Sequence, residues 1–276
     1  MAGVLYIVAT PIGNLDDLSL RAARTLGQVA AVACEDTRQT SKLMDAAGAK
    51  RPLISLHEHN EKERSEELVG RLLAGEDLAL VSDAGTPLIS DPGYRLVEAA
   101  IAAGIRVAPI PGPSAVMAAL AGSGLETDAF VFGGFLPHKQ KARQDLLRKW
   151  GNVEATIVYF ESPHRILEAL EDVETMFPER RVVLGRELTK LHEEFLRGTA
   201  AQVRMELVKR PAIKGEFTLL IERQRGEARQ WGEVEIRARY EELLDAGSER
   251  MDAMKAVAQE AGLSKREIYA VLGKRD

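Results

Sequence analysis

Four short stretches carry the side chains that could do chemistry. "EDTRQT" sets Glu35, Asp36 and Arg38 side by side, and "HEHNE" does the same for His57, His59 and Asn60. "LVSDAGTPLISDPG" carries Asp83 and Asp91, and "PGPSA" contributes Ser114 at the start of an apolar run. Carboxylates and imidazoles of this kind can accept a proton or hold a hydroxyl by hydrogen bonding. Other chemistries lack their spacing. A zincin needs H-E-x-x-H, which puts two histidines one helical turn apart. His57 and His59 are two apart after a strand-like run, so no metal is expected. The G-x-G-x-x-G and G-x-x-x-x-G-K-[ST] phosphate loops are absent, and no G-x-S-x-G elbow presents a nucleophilic serine.

The stretch from 80 to 97 poses the sharper question. Asp83, Gly85, Pro87, Asp91, Pro92 and Gly93 fall close together after an apolar run. An α/β connection of about two to six residues normally suffices. The excess points to a loop shaped for a ligand, with "TPIGN" and "SDAGTP" wrapping backbone amides and carbonyls around it. Ser114 can cap a helix and touch a ligand at once. For "EDTR", helix capping with an Asp–Arg pair is the alternative to a role in the cleft, and both stay open.

These residues need elements to hold them. Strand-like runs at 4–8, 30–35, 52–56, "DLALVS" and "RVAPIPG" alternate with helical patterns at "LRAARTLGQV", 41–47, 62–74 and "YRLVEAAIAAG". Ser19 can cap the first helix, and Gly48 can stop the second. A strand–helix alternation with a period of about 25 residues predicts a mostly parallel, doubly wound sheet. After "PGPSAVMAALAGSG" the register changes. "AFVFGGFL", "ATIVYFE", "RVVLGREL", "EEFLRGTA" and "EFTLLIE" read as five strands with fewer helices between them. They predict an α+β second domain starting near residue 116. Residues 223–232 read as a linker. Helical patterns follow at 235–245, 248–261 and 264–272, and "SKRE" at 264–267 has the capping-box form. The last two have the helix–turn–helix shape.

The 276 residues are 45% hydrophobic and 29% charged, with a formal net charge of −5, which is ordinary for a soluble globular chain. Cys34 is the only cysteine, which excludes a disulfide framework and a cysteine-rich zinc site. No run reaches membrane-span length, and the start lacks the basic and small-residue features of a signal peptide, so the expectation is a cytoplasmic protein. The acidic balance argues against an all-round nucleic-acid coat. Three local basic clusters remain. They are Lys139, Lys141, Arg143, Arg148 and Lys149 in "HKQKARQDLLRK", the "VKRP" segment, and Lys265, Arg266, Lys274 and Arg275 in the tail. Each alone is an ordinary solvated helix face; together they suggest a surface for a polyanion.

"VATPIGNLDDLSLRA", "EDTRQT", "HNE", "LVSDAGTPLISDPG", "PIPGPSA", "FESPHR" and "KGEFTLLIE", in this order, resemble the tetrapyrrole (class III) methylase family in its ribosomal-RNA-modifying branch. The resemblance covers nearly the whole chain, the C-terminal helical segment included. It implies a two-domain class III methyltransferase fold of the α/β class. A parallel-sheet domain would span 1–115, a mixed-sheet α+β domain 116–225, and a small helix-turn-helix-like segment 233–276. It also implies a homodimer that uses S-adenosylmethionine for 2′-O-methylation of a cytidine in the decoding region of small-subunit ribosomal RNA. Carried over by position, Pro11 would shape the floor of the donor cleft, and Asp83, Ala84 and Gly85 would line it. Ser114 and Ala115 would contact the donor, with Phe160 and Gly215 closing the cleft from the second domain.

The chain departs from porphyrin-modifying relatives, which carry G-x-G-P-G-D and G-G-D-P type loops where it has "TPIGN" and "SDAGTP". That favours the RNA branch over a corrinoid or porphyrin methylase. A non-catalytic RNA-binding regulator is the reading from another class. Transfer to a ribose hydroxyl benefits from a hydrogen-bond acceptor. The candidates are Glu35 or Asp36, with Arg38 as an RNA or orienting contact; His57, Asn60 and Lys214 are further polar residues expected at the cleft.

Overall fold

The computed structural model describes residues 1–224 and 231–273. Strands β1 (Val4–Val8), β2 (Ala31–Cys34), β3 (Leu53–Ser55), β4 (Leu78–Val81) and β5 (Arg106–Ile110) form an all-parallel sheet in the order β3-β2-β4-β1-β5. Helices α1 (Leu20–Gln28), α2 (Thr37–Ala46), α3 (Glu61–Leu73) and α4 (Tyr94–Ala102) alternate with them. Every residue of β2 and β4 is buried, as a parallel strand covered on both faces requires. Leu5, Leu68, Leu80 and Leu96 pack one side of this sheet, and Val8, Leu26, Val32 and Val81 pack the other. The connections leaving β1 and β4 run in opposite directions across the sheet. Their loops therefore lie side by side at its C-terminal edge, where open α/β sheets bind ligands.

Helix α5 (Ala115–Ser123) leads into the second sheet, β6 (Phe130–Phe135), β7 (Thr156–Glu161), β8 (Arg181–Arg186), β9 (Glu194–Thr199) and β10 (Phe217–Ile221), in the order β6-β7-β10-β8-β9. The β6–β7 pair is parallel and the others are antiparallel. β10 alternates between two cores. Phe217, Leu219 and Ile221 pack with helices α6 (Gln140–Gly151), α7 (Ile166–Met176) and α8 (Ala200–Val208), while Leu220 meets Val116, Leu120 and Ile12. Three helices lie between these strands, one fewer than among the strands of the first sheet, and they cover one face of the second sheet.

Residues Met1–Gln224 pack as one compact unit that contains both sheets, and Arg225–Asp276 as another. The described part of the second unit holds α9 (Glu233–Asp245), α10 (Arg250–Ala261) and α11 (Lys265–Gly273) around Ile236, Val257 and Ile268. Ser264 and Glu267 exchange the two bonds of a capping box at the start of α11. Residues 225–230 of the expected linker, and Lys274 and Arg275 of the tail, lie outside the described residues. Among the described residues no helix is long and apolar enough to cross a membrane.

Local capping explains where α1, α2 and α5 begin. Ser19 accepts the amide of Ala22, and Ser114 accepts that of Met117. Helix α2 starts at Thr37 rather than near 41, because Asp36 accepts the Arg38 amide at 2.8 Å and opens the helix earlier.

Candidate functional site

A cavity of about 340 Å³ opens where the C-terminal loops of the parallel sheet face the second sheet. The loop after β1 contributes Ile12, and the loop after β4 contributes Asp83, Ala84, Gly85, Thr86, Ile89, Ser90 and Asp91. Ser114, Ala115 and Val116 enter from the start of α5. The second sheet supplies Phe135, Phe160, Glu161, Leu188, Phe217 and Thr218, among others.

The two loops of the first sheet are tied together. Thr10 and Gly85 exchange backbone bonds, Thr10 N to Gly85 O at 2.8 Å and Gly85 N to Thr10 O at 3.1 Å. The Thr10 hydroxyl donates to Ser82 O at 3.2 Å. Gly85 sits at φ 82°, and a Cβ there would stand 3.3 Å from Ile12. The rest of the loop is strained. Leu88 at φ 75° and Ser90 at φ 71° occupy the left-handed region without being glycine, a conformation that costs about 1–3 kcal/mol and persists only where the surroundings enforce it.

The facing wall is aromatic. Phe160 meets Phe132 and Phe135 edge-on at 4.8 and 5.6 Å between centroids. Glu161, beside it, is buried, with Oε1 accepting the Ser162 amide at 2.7 Å and forming an ion pair with the Arg165 guanidinium at 2.7 Å. A strap between β8 and β9 reaches the loop after β1. The Lys190 stem occupies the space that a Gly13 side chain would take, and its Nζ bridges Glu187 and Glu216 at 2.9 Å each.

Of the residues expected to hold a ligand, Asp83, Ala84, Gly85, Ser114, Ala115 and Phe160 come together in the cavity wall. Pro11 is buried next to the lining residue Ile12. Gly215 stands beside the wall, at φ 100°, where any Cβ would fall 2.5 Å from Glu187. Its neighbour Glu216 lines the cavity instead.

Glu35, Asp36 and Arg38 flank the cavity rather than line it. The Asp36 amide donates to Asp83 Oδ1 at 3.2 Å, which ties the two loops. The Asp36 carboxylate caps α2 and pairs with Arg38 at 2.9 Å. Hydrogen bonds from Arg38 hold its pKa below the usual carboxylate value. Glu35 moves the other way. Burial, then the charges of Asp83 and Glu58, push its pKa up. Asp91 shows the larger effect, raised to about 6 by desolvation and then by Glu35, against the hydrogen bond from Ser82. Ser90 and Asp91 also line the cavity; the sequence places Asp91 in the ligand loop without assigning it a contact, and it does not mark Ser90. The "DPG" that follows Ser90 marked the turn, but nothing local separated Asp91 from an ordinary turn aspartate.

Other expected polar residues serve the scaffold. Asn60 Oδ1 accepts the His57 amide at 2.8 Å, and its Nδ2 donates to Ser55 O at 3.1 Å. His57 and His59 face each other edge-on at 6.0 Å. Lys214 is exposed, and its carbonyl accepts from Arg186 Nε at 2.7 Å. Among the described residues no group of three or more His, Cys, Asp or Glu is arranged to hold a metal ion.

The basic clusters are reduced on folding. Arg143 is buried at 2% exposure and bonded to Asp172 at 2.5 Å, so it leaves the expected basic face. Lys209 pairs with Glu206 and Arg210 with Glu194, whose pKa falls to about 2 because of Arg210 and then Arg186. Lys139, Lys141, Lys265 and Arg266 remain exposed.

Residues 4–204 match the family of Tetrapyrrole (Corrin/Porphyrin) Methylases. The chain is 44% identical to the Ribosomal RNA small subunit methyltransferase I of Halalkalibacterium halodurans, over 98% of this chain and 94% of that one. It is 46% identical to the protein of the same name from Synechocystis sp., over 97% and 96%. Its fold is similar to that of uroporphyrin-III C-methyl transferase from Thermus thermophilus, solved in complex with S-adenyl homocysteine. That likeness has a TM-score of 0.55 at 18% identity and covers 79% of this chain and 96% of that one.

Proposed function

The chain belongs to the tetrapyrrole methylase family, and from that premise we propose that it methylates the 2′-hydroxyl of a cytidine ribose in small-subunit ribosomal RNA, in the decoding region. The methyl donor is S-adenosylmethionine. The observation that carries the reading is near-full-length identity of 44–46% to relatives named for ribosomal RNA methylation. The loops "TPIGN" and "SDAGTP", unlike those of porphyrin-modifying relatives, support the same branch.

The cavity fits this donor physically. Its volume lies in the range of small-molecule sites, about 300–1,000 Å³. Ile12, Val116, Phe160 and Leu188 offer apolar surface for a flat purine, and Asp83 and Asp91 offer carboxylates to a cation. Gly85, without a Cβ, leaves room for close backbone approach. When bound, the donor supplies a methyl group on a positively charged sulfonium.

The chain's own residues then have separate tasks. Asp83, Ala84, Gly85, Ser114, Ala115 and Phe160 hold the donor, with Pro11 and Gly215 shaping the loops behind it. Holding donor and ribose oxygen in reactive geometry lowers much of the barrier. Between the two acceptor candidates, Glu35 suits the role and Asp36 does not, since Asp36 is committed to α2 and Arg38. Glu35 acts beside Asp91: its charge, after desolvation, helps raise the Asp91 pKa to about 6, and these two carboxylates accept the hydroxyl proton. Arg38, exposed beyond its bond to Asp36, contacts the RNA backbone. The segments 1–115 and 116–225 work as the two lobes of the site, and 233–276 docks the RNA. The working form is a cytoplasmic homodimer.

Incubation with labelled S-adenosylmethionine and 30S subunits, followed by nuclease mapping, tests the activity. Label on a cytidine ribose is expected. Label on a tetrapyrrole instead, or none on RNA, refutes the reading. Sedimentation at micromolar concentration tests the dimer, and a monomer counts against it.

A further inference from the structure

Glu61, in the "HNE" motif, touches nothing in the cavity, yet it holds the loop that does. Its carboxylate is nearly buried, with its side chain 12% exposed. Oε1 accepts the amides of Gly93 at 2.9 Å and Arg95 at 3.0 Å, and Oε2 lies 3.9 Å from the Arg95 guanidinium. Those amides are the open N–H groups at the start of α4, whose N-cap, Gly93, has no side chain to satisfy them. The first residue of α3 thus caps α4 from outside, where negative charge also favours the helix dipole.

The position of this cap matters because of what precedes it. The loop after β4 is pinned at its near end by the Thr10–Gly85 exchange. Its far end is pinned by Glu61 at Gly93, which sits at φ 123° against Leu80. Between the pins lie Leu88 and Ser90 in left-handed conformations, and the lining residues Ile89, Ser90 and Asp91. Strained residues keep their conformation only under outside constraint.

We propose that Glu61 is a positioning residue for the donor site, a remote cap that keeps the 88–91 segment in its binding conformation. The inference rests on the reading of the cavity as the S-adenosylmethionine site. Because a single oxygen takes both amide bonds, the amide oxygen of a glutamine can replace it. An aspartate, one methylene shorter, cannot reach.

The test is calorimetric titration with S-adenosylhomocysteine and S-adenosylmethionine, with hydrogen exchange on the ligand-free protein at the amides of residues 86–93 other than Pro87 and Pro92. Glu61→Gln is expected to bind within about twofold of the unsubstituted protein. Glu61→Ala and Glu61→Asp are expected to bind about tenfold more weakly, as loss of a helix cap warrants, and to exchange faster at those amides. A role confined to global stability would lower the melting temperature while leaving the affinity of the folded protein unchanged, and that result overturns the inference. If Glu61→Ala does not fold, the contrast between Gln and Asp decides. Failure of the unsubstituted protein to bind either compound refutes the donor reading instead; exchange at 86–93 alone then decides the role of Glu61.

Discussion

Replacing Asp91 with asparagine should make the protein more stable and less active, and the two effects share one cause. In the folded protein desolvation and the neighbouring Glu35 raise the Asp91 pKa from 3.8 to about 6. The folded state therefore keeps a proton that the unfolded chain releases between pH about 4 and 6, so stability falls as pH rises through that window. A shift of about two units at roughly 1.36 kcal/mol each sets a ceiling near 3 kcal/mol, which solvent at this partly exposed loop reduces to about 1–2 kcal/mol. An asparagine side chain carries no charge to desolvate. Urea unfolding from pH 3 to 8 should show the smallest difference between the two proteins at pH 3, below the unfolded pKa. A gap in favour of Asp91→Asn should grow to about 1–2 kcal/mol above pH 6. Methyl transfer by the unsubstituted protein should rise with pH through about 6, and the variant should lose about 100-fold, as removal of a proton acceptor does. A difference in stability that is flat across this pH range would refute the argument, because it would mean that Asp91 is as well solvated folded as unfolded.

Gly13→Ala would drive a Cβ into the Lys190 stem, displacing the Glu187–Lys190–Glu216 bridge at a cost of about 1–2 kcal/mol; unfolding of the single and double variants with Lys190→Ala should show that the two costs are not additive. Arg143→Ala should destabilise by about 3–5 kcal/mol, since it leaves the buried Asp172 carboxylate without its cation, and a loss below about 1 kcal/mol in urea unfolding would count against that. Deletion of residues 225–276 should leave donor affinity within about twofold but weaken ribosomal methylation and flatten the salt dependence of RNA binding. An unchanged salt slope with full activity would remove the tail from RNA docking.

Much of this architecture is local and was legible in the chain. The alternation of strand and helix predicted the parallel sheet, and Ser19, Ser114 and Ser264 marked helix starts because a cap is satisfied by residues two or three positions away. The crowding of Asp, Gly and Pro after β4 marked the loop that lines the cavity for the same reason: turns declare themselves in composition. What tertiary structure decided lies at long range. Arg143 reads as surface charge in a basic run until α7 brings Asp172 against it from 29 residues away. Asp91 reads as a loop residue until folding desolvates it and sets the charge of Glu35, just past β2, near it. Glu61 reads as an ordinary first-turn acid until α4 arrives 32 residues later with open amides. A side chain's local propensity depends on its neighbours in sequence. Its charge state and partners depend on which distant groups folding sets beside it and on how much water they exclude.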